Sequence, residues 1–361
     1  MLYIENIKKK EDNLEMAELK GEGHPDTICD TLCELSSKAL SQYYLKHFNQ
    51  VLHHNVDKGL LVAGTSKPEF KGGKTIDPIK IIIAGRATTK VEDKKIPAEK
   101  IIIDTCNSYL KKFDLAKFKV SAEIKPGASN LKGIAKKHVA NDTSFGVSHY
   151  PYSKLEQLIL DVDKFIASLR KQYKAIGRDI KIMGLKEKNK ISLTIAIAFI
   201  GKYIKDMDDY IKTKKEIQSK ISKKFKVFAE INTLDDYKDV SSVYLTVSGL
   251  SSEQGDDGQV GRGNRYNGLI TPYKPMSLEA VSGKNIYHPG KLYQILAFEI
   301  AKDLVKEGAD YAEVKILSQI GASLDNPQSI HVSIDGNIDA KKVIKRNLKN
   351  LEKLQKKIIF S

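Results

Sequence analysis

Four stretches place apolar residues at helical spacing. Ile28, Leu32, Leu35, Ala39 and Tyr43 predict a helix that begins near Pro25. Leu155, Leu158, Val162, Phe165, Ile166 and Leu169 mark a second, and Leu292, Ile295, Leu296, Ile300 and Leu304 a third. Ile344, Leu348, Leu351 and Leu354 mark the last. Alternation with period two at Val243/Leu245/Val247, Val314/Ile316 and Ile330/Val332/Ile334 predicts half-buried strands. Residues 79–84 and 191–200 are more continuously apolar and read as buried strands. Helices and strands alternate without a simple repeat, which predicts an α+β chain with helices on one face of antiparallel or mixed sheets. Thr65–Thr75 and Ser251–Lys291 are glycine-rich and show neither period, so long functional loops are expected there.

Composition narrows the class. The chain has 361 residues, 41 % hydrophobic and 29 % charged, enough for two or three domains with full cores. Its longest mainly apolar run, 191–200, is too short to span a bilayer, and no signal-peptide core follows Met1. Three cysteines make no disulfide framework; Cys29 and Cys33, one helical turn apart, read as a buried thiol pair. Together these predict a cytoplasmic protein with no membrane contact. The net charge of +15 comes mostly from lysines scattered along helices. Arginine occurs only at 86, 170, 178, 262, 265 and 346, and tryptophan is absent. Nucleic-acid sites favour arginine interleaved with aromatics, so a small polyanion is the expected partner rather than nucleic acid.

Several segments can carry chemistry with such a ligand. Gly21-Glu22-Gly23-His24-Pro25-Asp26 puts a histidine and a carboxylate at a glycine-loosened helix start. Anions bind at such a start, and Asp26 can hold Mg²⁺ beside them. A structural reading, a capped helix with Asp26 as N-cap, competes with it. Gly255 to Arg265 packs four glycines, Asp256 and Asp257, and Arg262 and Arg265 into eleven residues, a mixture suited to cations and phosphate oxygens. Ser282-Gly283-Lys284 and His288-Pro289-Gly290-Lys291 lead into the third helix, with two lysines beside glycines. Neither a Walker A loop nor a dinucleotide-binding glycine pattern is present. Shorter pieces are Asn141-Asp142 to Gly146, read as lying just before a helix, and Asp179-Ile180-Lys181, read as preceding the strand at Ile191. Pro126-Gly127-Ala128-Ser129-Asn130 is a turn of phosphate-loop character.

In this order, these pieces resemble the archaeal-type branch of the methionine adenosyltransferase (S-adenosylmethionine synthetase) family. The resemblance is carried by 23–26, Ile83-Ala84-Gly85-Arg86-Ala87-Thr88, 140–146, 179–184, the long run Gly255 to Pro272, and Ser282-Gly283-Lys284-Asn285. It implies three similar, interleaved sheet-plus-helix domains in a pseudo-threefold arrangement: 1–20 with 153–250, 21–100 with 251–292, and 101–152 with 293–361. It also implies a homodimer with shared active sites, or a tetramer built from such dimers. The implied reaction joins ATP and L-methionine into S-adenosylmethionine and cleaves the retained tripolyphosphate to phosphate and pyrophosphate. Mg²⁺ is the implied cofactor and K⁺ an activator.

The resemblance carries over roles residue by residue. His24, Lys181, Arg262, Lys284 and Lys291 would be catalytic. His24, Gly127, Ser129, Asn130, Asp179, Lys181, Arg262, Arg265, Ser282 and Lys284 would bind ATP and its phosphates. Asp142, Asp256 and Lys291 would meet methionine. Asp26 would hold Mg²⁺, and Asp256 would face a monovalent cation. In the bacterial and eukaryotic branch a lysine follows the counterpart of Arg262; here Gly263 stands there and Arg265 is the substitute. That branch also has an aspartate where this chain has Tyr293. The residue types suit the reaction: methionine sulfur needs no activating base, so the work is to stabilise a leaving tripolyphosphate with cations and a hydrogen-bond donor. Hydrolysis of ATP or tripolyphosphate without alkyl transfer is the alternative.

Overall fold

A computed structural model describes residues 1–127, 139–261, 268–272, 274 and 280–361. Three mixed or antiparallel sheets each carry helices on one face and their own apolar core. The first sheet orders its strands 228–231, 190–200, 176–187, 14–20 and 269–270. Helices α3 (Lys154–Leu169) and α4 (Met207–Phe225) cover it. A capping box of Ser153 and Glu156 starts α3, and the Asp206 side chain starts α4. The second sheet runs 258–259, 54–62, 79–87 and 118–125, under α1 (Pro25–Phe48) and α2 (Ala98–Leu110). The third runs 2–6, 329–335, 311–317 and 145–150, under α5 (Pro289–Lys306), α6 (Ala340–Lys349) and α7 (Leu351–Phe360). No helix among the described residues is long and apolar enough to cross a membrane.

Several expectations need correction. Segment 1–20 is split: strand 2–6 pairs with 329–335 in the third sheet, while 14–20 lies in the first. Helix α2 runs through the proposed boundary at residue 100, and strand 118–125 joins the second sheet, not the third. Thr65–Thr75 is not an open loop but most of a hairpin, Thr65–Glu69 with Gly72–Asp77. Lys71 there takes φ +67°, and Gly73 packs so close to Pro68 that a side chain would not fit. Asn141–Gly146 precedes a strand, Phe145–Tyr150, not a helix. Asp179-Ile180-Lys181 does precede the strand Lys190–Ile200, but it is not a turn: it lies inside a strand of its own, Ile176–Glu187. Of the alternating triplet at 243–247, only Leu245–Thr246 pairs. The C-terminal stripe is two helices that meet at Asn350.

The buried face of α1 is also rotated from the expected one. Leu35, Ala39 and Tyr43 are half-buried, whereas Cys29, Cys33, Ser36, Ser37, Leu40, Ser41 and Tyr44 are buried beside Ile28 and Leu32. Serines can face this core because their hydroxyls are bonded. Ser37 Oγ donates to the Lys284 carbonyl at 2.9 Å, and Ser41 Oγ to the Ser37 carbonyl at 2.8 Å. Part of this face therefore serves to anchor the segment that carries Lys284.

Candidate active site

The first group of polar residues forms where the strand 14–20 runs into α1. Lys20 stands opposite Lys181 in the antiparallel ladder. Gly21 N and Gly23 N extend that ladder to the Ile180 and Arg178 carbonyls at 2.7 and 3.0 Å. A Cβ on Gly23 would lie 2.5 Å from the Arg178 carbonyl carbon, so only glycine lets the two backbones approach. This contact delivers His24 beside Asp179. The N-cap of α1 is His24, not Asp26: its Nδ1 accepts the Asp26 N–H at 3.2 Å. An accepting Nδ1 leaves the ring proton on Nε2. Burial holds the imidazole below its ordinary pKa; Lys20 and Lys181 add to that, while Asp26 and Asp256 oppose it. His24 is thus a neutral donor through Nε2.

Asp26 is pinned by Lys20 Nζ at 2.7 Å on one oxygen and by the Gln259 N–H at 3.0 Å on the other. Burial pushes its carboxyl up, but these partners outweigh burial and hold it below the usual range. Glu18 bridges the facing lysines, 3.7 Å from Lys20 and 3.6 Å from Lys181. Behind them, buried Asp179 accepts the Ser251 N–H at 2.9 Å and a short bond from Ser251 Oγ. The same hydroxyl lies 2.8 Å from Asp256. One hydroxyl proton cannot serve two carboxylates at once.

Burial raises the Asp179 carboxyl to about 7, with Asp256 adding to the rise and Ser251 and Lys181 opposing it. Its folded value lies above the unfolded value of about 4. Between those values the folded chain keeps a proton that the unfolded chain has lost, so stability present below about pH 4 declines as pH rises toward 7. Ionising Asp179 then costs roughly 4 kcal/mol. Asp179→Asn should therefore flatten the pH dependence of stability in that window and make the chain more stable at pH 8. Urea unfolding of both proteins from pH 4.5 to 8 tests this, and parallel profiles would show that Asp179 does not titrate there.

The second group lies along α1. Lys284 is buried and paired to Asp57 at 2.5 Å, and Asp57 also takes Lys58 at 2.7 Å. Lys291 is equally buried, 2.6 Å from Glu34 on α1 and 2.8 Å from the Lys284 carbonyl. Burial lowers the Lys291 ammonium below its ordinary value against the pull of Glu34. Ser282 and Lys291 share a cavity of about 570 Å³ with Lys20, Asp26 and Glu34. Tyr293 lies in the core of the third sheet, its hydroxyl on the Leu324 carbonyl at 2.9 Å. Its position therefore serves packing.

The third group surrounds a separate cavity, also about 570 Å³, whose wall includes Gly127, Asp142 and His288. His288 caps α5 as His24 caps α1: its Nδ1 accepts the Gly290 N–H at 3.1 Å and a proline follows. Its Nε2 lies 3.2 Å from Asp142 Oδ2, which holds the Asp142 carboxyl below the usual range. A Cβ on Gly127 would lie 2.5 Å from the His53 ring, so a larger residue there would displace that ring.

The structure thus brings His24, Asp26, Asp179, Lys181 and Asp256 together, groups Ser282, Lys284 and Lys291 along α1, and sets Gly127 and Asp142 apart. Ser129, Asn130, Arg262 and Arg265 lie outside the described residues. Sequence reasoning missed Lys20, Glu18 and Ser251, and it named the segment of His288 without giving that residue a role. The recurrence of His-Pro at 24–25 and 288–289 was a usable signal for His288; nothing local singles out the other three. Among the described residues no group of three or more His, Cys, Asp or Glu side chains gathers as a metal centre.

A helix start flanked by two lysines facing each other across a ladder and by a neutral histidine donor suits oligophosphate chemistry. Comparison with known proteins sharpens this. The family model described as S-adenosylmethionine synthetase (AdoMet synthetase) matches residues 2–361. The chain is 43 % identical to an S-adenosylmethionine synthase of Thermoplasma volcanium, over 96 % of this chain and 92 % of that protein. It is 42 % identical to one of Methanocaldococcus jannaschii, over 99 % and 96 %. The fold is similar to that of an unusual S-adenosylmethionine synthetase from Campylobacter jejuni, at TM-score 0.63 and 16 % identity, covering 93 % of this chain and 86 % of that one. With a family match across 2–361 and relatives this similar over nearly the whole chain, the chain belongs to the S-adenosylmethionine synthetase family.

Proposed function

We propose that this chain is a methionine adenosyltransferase (EC 2.5.1.6) that condenses ATP with L-methionine, and that the group at the start of α1 handles the triphosphate. The observation that carries this reading is the neutral His24, whose Nε2–H has no partner among the described residues, beside Lys20, Lys181 and Asp26. The sulfur of methionine attacks the ribose 5′ carbon, and the C–O bond to the triphosphate breaks. His24 donates to the departing oxygen, and the lysines stabilise the charge that develops there. Lys284 and Lys291 extend the cationic track, and phosphate binding is the role proposed for Arg262 and Arg265. Asp142 and Asp256 serve the methionine end. Incubation with ATP, methionine and Mg²⁺, with product read by mass, tests the reading. ATP consumption that does not depend on methionine would favour a plain ATP or tripolyphosphate hydrolase.

Mg²⁺ suits this site. It takes one or two carboxylates plus substrate phosphates rather than an all-protein cage, and Asp26 supplies a hard oxygen ligand at the helix start. When bound, the ion neutralises charge on the triphosphate. Lys20 holds Asp26 in its place otherwise. K⁺ would lie toward Asp256.

The assembly reading is a homodimer with shared sites, or a tetramer of such dimers. Its support is the open sheet faces. Leu14, Met16, Met183 and Leu185 form an exposed apolar patch on the first sheet, and Leu60 and Val62 continue the pattern on the second. A contiguous apolar face on a sheet marks an interaction surface, here for a second copy. The three sheet-and-helix layers are read as related units in a pseudo-threefold arrangement, and the buried free thiols suit a reducing cytoplasm.

Lys181→Met deletes a cation and little volume. It is expected to lower both S-adenosylmethionine formation and tripolyphosphate hydrolysis about tenfold to a hundredfold, the size of a charge-assisted hydrogen bond, with a smaller effect on methionine KM. Steady-state kinetics of the two reactions provides the check. Survival of both rates would make Lys181 a surface lysine.

A further inference from the structure

Of the four described arginines, three have carboxylate partners. Arg170 and Arg178 meet Glu22 at 2.9 and 2.6 Å, and Arg346 meets Glu307 at 2.8 Å. Arg86 has no ion pair among the described residues, and it lines the cavity beside Asp142 and His288. It lies one residue before the end of strand 79–87, with Asn55 opposite on one side and Lys125 on the other. Two cations directly across a ladder repel each other. A guanidinium held next to an ammonium, with no carboxylate to balance it, suits an anion that arrives from outside.

The rest of the wall has the opposite preference. Asp142 is half-exposed and carries negative charge; His288 Nε2 lies on Oδ2 and the Thr143 N–H on Oδ1 at 2.8 Å, and each carboxylate oxygen keeps a second lone pair for a further donor. Two amide oxygens on the wall, Asn55 Oδ1 and Asn141 Oδ1, are buried without a hydrogen-bond partner among the described residues. Acceptors left in this way lack a donor. A second phosphate chain would be repelled by Asp142 and would satisfy neither amide. A ligand with a carboxylate and an ammonium on adjacent atoms satisfies both halves of the wall.

We infer that Arg86 is a specificity-determining residue that binds the α-carboxylate of the amino-acid substrate, while Asp142 and the neighbouring amide oxygens receive its ammonium. The inference rests on the reading of the chain as a methionine adenosyltransferase, since that reaction supplies an α-amino acid. The planar fork of arginine suits a carboxylate bidentately, and lysine cannot reproduce that geometry.

The test compares L-methionine with L-methioninol, which keeps the ammonium and thioether but has no carboxylate. In the wild-type enzyme kcat/KM should favour methionine over methioninol by roughly tenfold to a hundredfold, from loss of a charge-assisted pair. In Arg86→Met the preference should collapse toward one, because methionine loses its clamp while methioninol never used it. Arg86→Lys should lie between, and it supplies the same comparison if the methionine variant does not fold. An unchanged preference in both variants, or an equal loss for the two substrates, overturns the assignment. If Asp142→Asn raises methionine KM while the Arg86 variants keep the wild-type preference, the Arg86 inference falls and the enzymatic reading stands. If the wild-type enzyme forms no sulfonium product from methionine, both fall.

Discussion

His24→Ala is expected to lower S-adenosylmethionine formation by roughly 10² to 10³, with the fold retained. The size follows from removing one preorganised donor from the charge that develops in the transition state. The specificity follows from how the imidazole is held. Asp26 N–H occupies Nδ1, so Nε2–H is the ring's donor, and burial keeps the ring neutral. The helix loses an N-cap, which costs about 1 kcal/mol, and Pro25 still presets its first turn. A correctly folded variant, checked by circular dichroism and thermal melting, should therefore be stable and nearly inactive. Near-wild-type turnover would remove His24 from the mechanism.

The second large effect concerns assembly. Co-refolding His24→Ala with Asp142→Ala should restore activity that neither variant has alone. Within one subunit the two residues belong to different groups: His24 stands with Asp26 and Asp179, Asp142 with His288 and Arg86, and the cavity around Asp142 shares no wall residue with the His24 group. If one site takes its phosphate end from one subunit and its methionine end from the other, a mixed dimer holds one doubly damaged site and one intact site. Random mixing makes half the dimers mixed, so about a quarter of wild-type activity should return. Verified mixed dimers that stay inactive would put both residues in a site of a single subunit.

These expectations draw on different levels of legibility. The α+β class was readable because α3, α5 and the strands 311–317 and 329–335 repeat with a period that local geometry imposes, and because 190–200 is a short, nearly continuous apolar run. The glycine-His-Pro-Asp segment was readable because a backbone contact without side chains and a helix start leave marks in adjacent residues. The hairpin at 65–77 was not, because its glycines and lysines carry no alternation and its pairing is set by neighbours such as Gly201. The buried face of α1 was not either. Polar residues can line a core when distant groups bond them, as the Lys284 carbonyl bonds Ser37.

Residue identity and short-range order alone therefore established the family resemblance, the helix start at Pro25 and the kinds of side chain that a triphosphate needs. Those are consequences of local chemistry. Partnership was settled by folding. Lys20 faces Lys181 because an antiparallel register joins strands more than 150 residues apart in the chain. Ser251 sits between Asp179 and Asp256 because a loop after strand 245–246 returns to strand 176–187. The raised carboxyl of Asp179 and the neutral ring of His24 both follow from burial, which belongs to the packed chain and is absent from any segment of it.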